Sequence, residues 1–107
     1  MSGITTHVLD TASGRPAAGV PITLEILRGD QWQMVGSGTT DNDGRLRTLV
    51  TTTPEPGTYR ITFNSGAYFP TGFFPSVAIT FTVEAGNEHY HVPLLLSPFG
   101  YSTYRGS

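Results

Sequence analysis

The sequence predicts an all-β domain, on three observations. Apolar and polar residues alternate with a period of two through several short runs, the mark of strands with one buried face. The 13 glycines and 8 prolines mostly fall between those runs, so turn chemistry recurs about every eight to twelve residues. A length of 107 residues suits one hydrophobic core, so residues 1–107 are read as a single domain.

Each element follows from its residues. Residues 7–9 form a first strand, with His7 and Leu9 on one side and Val8 on the other. It stops at Asp10, and residues 11–19, which hold S-G-R-P and A-G, are turn chemistry. Residues 20–27 put Ile22, Leu24 and Ile26 on one face and Thr23 and Glu25 on the other. A turn around Gly29 and Asp30 leads into a third strand over 32–40, weakened by Gly36 and Gly38. The D-N-D-G of residues 41–44 reads as a tight hairpin, with 45–51 as the returning strand.

The P-E-P-G of residues 54–57 excludes regular structure and launches a strand over 58–63, where Tyr59, Ile61 and Phe63 share a face. Residues 64–76 are too broken by glycine and proline for more than one helical turn, over 67–69. There the aromatic cluster of Tyr68, Phe69, Phe73 and Phe74 suits a core lid or an interface. Residues 77–83 alternate again, and after an A-G-N turn come 89–96, an S-P-F-G turn, and a last strand over 101–105. Eight short strands describe a sandwich or barrel.

Composition narrows the function. A net charge of −2 with scattered basic residues gathers no phosphates, so nucleic acid is not an expected partner. No run approaches the roughly 20 apolar residues of a membrane span. The opening M-S-G-I-T-T-H lacks a signal-peptide pattern, so a cytoplasmic location and no membrane partner are expected. Without cysteine there are no disulfides, thiol nucleophiles or thiolate metal sites.

Few residues remain that can do acid–base or electrophilic work. His89 and His91 are two apart on one strand and leave the same face, as do Pro93 and Leu95. If the first strand lies alongside, His7 joins them, either as a third ligand of an open zinc site or as part of an acid–base group. The plainer alternative is polar imidazoles on a half-exposed face. Arg45 and Arg47 share a face after the D-N-D-G turn, and Arg105 stands in the closing Y-R-G-S. An arginine there is either a solvated cation or a fixed donor fork for an oxyanion or imide. Neither a G-x-S-x-G elbow nor a phosphate-binding glycine loop is present.

Several segments together then resemble one family. T-H-V-L-D-T-A-S-G-R-P-A-A-G-V-P, T-D-N-D-G-R, Y-H-V-P-L-L-L-S-P-F-G-Y and S-T-Y-R-G-S look like the transthyretin-related family in its 5-hydroxyisourate hydrolase branch, from residue 7 to residue 107. Transthyretin itself has lysine, glutamate and threonine where this chain has His7, Arg45 and His91, and lacks Y-R-G-S. The resemblance implies a transthyretin-like sandwich of two four-stranded sheets and a homotetramer with sites in a channel between subunits. It implies a hydrolase that opens the six-membered ring of 5-hydroxyisourate to 2-oxo-4-hydroxy-4-carboxy-5-ureidoimidazoline in urate breakdown, with no metal or organic cofactor.

The catalytic set it implies is His7, Arg45, His91, Tyr104 and Ser107. His7, Arg45, Leu95, Tyr104, Arg105 and Gly106 would contact substrate, and His89 would be a solvated or supporting histidine. The main rival is a non-catalytic carrier of small ligands on the same fold.

Overall fold

The computed structural model of the chain describes residues 2–106. Its order is β1 (Gly3–Asp10), β2 (Arg15–Pro16), β3 (Pro21–Arg28), β4 (Gln31–Thr39), β5 (Arg45–Val50), β6 (Gly57–Phe63), α1 (Ser65–Tyr68), β7 (Val77–Val83), β8 (His89–Ser97) and β9 (Gly100–Thr103). One sheet is antiparallel throughout, in the order β4-β3-β6-β7. The other is built on the parallel pair β1 and β8, with β9 antiparallel beyond β8 and both β5 and β2 on the far side of β1. The alternating faces meet as the expected core, Ile22, Leu24, Ile26, Ile61 and Phe63 from one sheet against Ile4, Val8, Leu94 and Leu96 from the other.

Several features depart from the sequence reading, beginning with the first strand, which starts at Gly3 rather than at residue 7. The second sheet has a fifth strand, because the segment after Asp10 folds back. The Asp10 carboxylate accepts the Ala12 and Ser13 N–H groups, its carbonyl accepts that of Gly14 at φ 74°, and Arg15–Pro16 then pairs with Asp10 and Leu9. The Tyr68 hydroxyl donates to the second Asp10 oxygen at 2.8 Å and ties α1 to this turn. Of the aromatic cluster, Tyr68, Phe69 and Phe74 close the core, while Phe73 stands in solvent.

The 41–44 turn is tight but is not a hairpin. β4 belongs to one sheet and β5 pairs with β1 in the other, so the turn carries the chain between sheets. The sheets nearly touch there, since a Cβ at Gly36 of β4 would lie 2.2 Å from the Leu49 carbonyl oxygen of β5. Glycine permits that approach, and the ladder bonds of β5 go to β1.

The last strand is shorter than expected, and the cause is Pro93. Gly106 donates its N–H to the His91 carbonyl at 2.8 Å and bridges that residue in the register that pairs Thr103 with Leu94. Counting two residues along, the next such pair sets Tyr104 against Pro93, which has no N–H to give. The ladder is therefore interrupted after Thr103, whose side-chain hydroxyl takes the Pro93 carbonyl at 2.7 Å instead.

Candidate active site

The outer face of the β1/β8 sheet collects most of the residues singled out above. Side chains on β1 alternate, so Thr5, His7 and Leu9 point away from the core while Thr6 and Val8 point into it. Parallel pairing sets Thr5 beside His91, His7 beside Pro93 and Leu9 beside Leu95. On the other side of β1, His7 pairs with Arg45. His7, Arg45, His91 and Leu95 thus come from three strands whose spacing is fixed by main-chain hydrogen bonds.

The turn before β5 holds two of these side chains. Asp41 accepts the N–H groups of Asp43 and Arg45 on its carboxylate and donates its own N–H to the Arg45 carbonyl. These bonds fix where β5 begins, and hence where Arg45 stands. His7 Nε2 donates to the Asp43 carbonyl at 2.9 Å. A carbonyl can only accept, so His7 carries its proton on Nε2, and Nδ1 is its free ring nitrogen when neutral.

His91 is held from two sides. Its Nδ1 lies 2.8 Å from the hydroxyl of Thr5, which is also 3.1 Å from His89 Nε2. On the other side runs the C-terminal tail, where a Cβ at Gly106 would stand 2.6 Å from His91 Cδ2. Only glycine fits there. Burial first, then the positive fields of Arg45, His89 and His7, hold the His91 imidazole below its ordinary value of 6.5, so it is neutral at pH 7.

The tail divides the remaining candidates. Tyr104 falls opposite Pro93 by register and is largely exposed. Arg105 falls opposite Val92, and its guanidinium stacks 4.5 Å over the Tyr90 ring. It lines a cleft of about 240 Å³ at the sheet edge with Ile79, Phe81, Tyr90, His91 and Tyr104. Its stack on Tyr90, which leaves β8 on the side opposite His91, turns Arg105 away from the face that carries His7 and Arg45. Ser107 lies outside the described residues. As for zinc, among the described residues no three metal-ligating side chains converge, and His89 Nε2 and His91 Nδ1 are both spent on the Thr5 hydroxyl.

Sequence reasoning missed Thr5. It stands two residues before His7, and the period-two rule applied there would have put it on the same face. Among the described residues no helix is long and apolar enough to cross a membrane.

Comparison with known proteins bears on what this face does. A family model described as the HIUase/Transthyretin family matches residues 4–106. The chain is 46% identical over 112 residues to a 5-hydroxyisourate hydrolase of Salmonella dublin, covering 97% of this chain and 80% of that one. Among solved structures, Klebsiella pneumoniae 5-hydroxyisourate hydrolase superposes with a TM-score of 0.85 at 33% identity, covering 97% of this chain and 98% of that one. Sea bream transthyretin in complex with thyroxine superposes at 0.90 and 31% identity, covering 96% and 93%. The fold is common to both branches, so the side chains on the outer face must separate them.

Proposed function

The chain belongs to the HIUase/Transthyretin family, and from that membership we infer that it is a hydrolase acting on 5-hydroxyisourate. It opens the six-membered ring at an amide bond and so serves urate breakdown. The observation that carries this reading is the neutral His91 imidazole beside His7 and Arg45 on one face. A ligand carrier has no use for a fixed base next to a cation, whereas amide hydrolysis needs both.

The proposed chemistry assigns one task to each group. His91 takes a proton from water at Nε2, since its Nδ1 is engaged by Thr5. His7, with Nε2 anchored on Asp43, offers Nδ1 as a hydrogen-bonding partner to the water or substrate. Arg45 binds the substrate carbonyl and stabilises the negative charge that develops on it. The proton held at His91 Nε2 then passes to the leaving ring nitrogen. Tyr104, Gly106 and Ser107 would wall the pocket, Leu95 would give it an apolar floor, and Arg105 would act only if the tail turns towards the substrate.

A single chain leaves this face open, and we place it in a homotetramer, in the cytoplasm, where a facing subunit closes the channel. Exposed aromatic side chains at the same end of the fold, Phe99 at 80% and Phe73 at 72% exposure, favour burial against another subunit. The carrier and hydrolase readings separate in one assay. Freshly generated 5-hydroxyisourate should disappear faster with the protein than by spontaneous decay, and chelators should not slow it. Binding of aromatic ligands with no acceleration would leave the carrier.

A further inference from the structure

We infer that Thr5 and His89 are positioning residues which set the protonation form of His91, through one hydroxyl shared between two imidazoles. The inference rests on the reading of His91 as the base. Thr5 is 5% exposed, and its Oγ1 lies 2.8 Å from His91 Nδ1 and 3.1 Å from His89 Nε2. The two rings stand nearly parallel, 25° apart, with centroids separated by 6.4 Å. A hydroxyl has one proton to give and lone pairs to accept with, so it cannot donate to both rings.

The two arrangements differ in what His91 can do. With His89 neutral and Nε2 unprotonated, Thr5 donates to His89 and accepts from His91 Nδ1–H. His91 Nε2 then carries a lone pair and can take a proton from water. With His89 protonated, its Nε2–H donates to Thr5, and the hydroxyl proton has His91 Nδ1 as its acceptor. The proton of neutral His91 is then on Nε2, having left Nδ1 by exchange with solvent, and the ring can no longer act as a base there. One proton enters, at His89, and one changes place on His91.

Among the described residues the neighbours of this group are few. Arg45 from β5 faces His91 with positive charge, and His7 from β1 and His89 add to it only when protonated. Arg105 of the tail is stacked on Tyr90. Gly3 pairs with His89 and brings no charge, and the Glu88 carbonyl is bound to the Gly3 N–H. His89 is therefore the neighbour on this face whose hydrogen-bonding sense reaches His91 through Thr5.

The test is ¹⁵N NMR of the imidazoles near neutral pH in wild-type protein and in Thr5→Ser, Thr5→Val and His89→Phe, with kcat and KM measured on the same samples. Wild type and Thr5→Ser should show His91 protonated on Nδ1, whereas Thr5→Val and His89→Phe should move its proton towards Nε2. Those two variants should lower kcat by about tenfold to a hundredfold with little change in KM, the size usual for lost supporting contacts. His91 protonated on Nε2 in neutral wild type, or the same tautomer in all four proteins, would overturn the inference. Because the tautomer is read without substrate, failure of the hydrolase reading would appear separately, as absent turnover with these NMR results intact.

Discussion

Two arginines, one on each sheet, differ in how their charge is met. On the β4-β3-β6-β7 sheet, Arg60 pairs with Glu25 at 2.9 Å and stacks 4.2 Å over Trp32, so its charge is satisfied within the chain. On the β1/β8 sheet, Arg45 has no ion-pair partner among the described residues and stands beside His7, with a neutral imidazole at His91. A matched charge fixes a surface, whereas an unmatched one held by backbone geometry is available to a substrate. That difference locates the site more sharply than the cleft at the sheet edge does, because that cleft includes His91 but neither His7 nor Arg45.

The largest effects should come from breaking the unmatched group. His91→Ala and Arg45→Ala should each cost on the order of a hundredfold or more in turnover with an unchanged melting temperature, as expected of groups acting in the transition state. Wild-type rates in either variant would remove that residue from the site. Next comes the tail. Gly106→Ala forces a methyl group against the His91 ring, and it should reduce kcat by about tenfold or more through misplaced reacting groups. Removal of residues 104–107 should abolish most activity while leaving the core intact, with circular dichroism and melting as controls.

The pH dependence sharpens the comparison further. His91 has a lowered value in the fold, so the acid limb of kcat/KM should lie below the ordinary imidazole value of 6.5. For stability the same shift means that the unfolded chain binds the proton first. This contribution is full at high pH and declines as pH falls through the unfolded value near 6.5. Asp10 adds a second decline. Burial pushes its carboxyl upward, but bonds from Tyr68, Ser13 and Ala12 outweigh this and hold it below 3.8, so its stabilisation is present above that value and lost with further acid. His91→Ala should flatten the first step and leave the second.

The smallest effects belong to the matched face. Glu25→Gln or Arg60→Met should leave kcat/KM unchanged and cost about 1 kcal/mol or less in stability, since the pair is partly solvated. A substantial loss of activity in either would mean that the two faces are not functionally distinct.

Much of this was legible in the sequence because a period of two reports which side of a strand a residue leaves. The faces of β3, β6, β7 and β8 followed directly, and so did the grouping of His91 with Pro93 and Leu95. Pairing was less legible. D-N-D-G specifies a tight turn but not the sheet its second strand joins, and that choice depends on the close approach of Gly36 to Leu49. The place of Arg105 depends on Pro93, twelve residues earlier on a partner strand that the tail sequence does not contain. The role of Thr5 was hidden because a threonine in a strand is ordinary until its hydroxyl is found between two imidazoles.

The most direct test sets the two faces side by side. Loss of freshly generated 5-hydroxyisourate would be followed at equal concentrations of wild type, His91→Ala, Arg45→Ala and Arg60→Met, each corrected for spontaneous decay. The expected result is rapid loss with wild type and Arg60→Met, and rates close to the uncatalysed baseline with His91→Ala and Arg45→Ala. Equal rates in all four proteins, or no acceleration by wild type, would contradict the assignment of catalysis to the face that carries His7, Arg45 and His91.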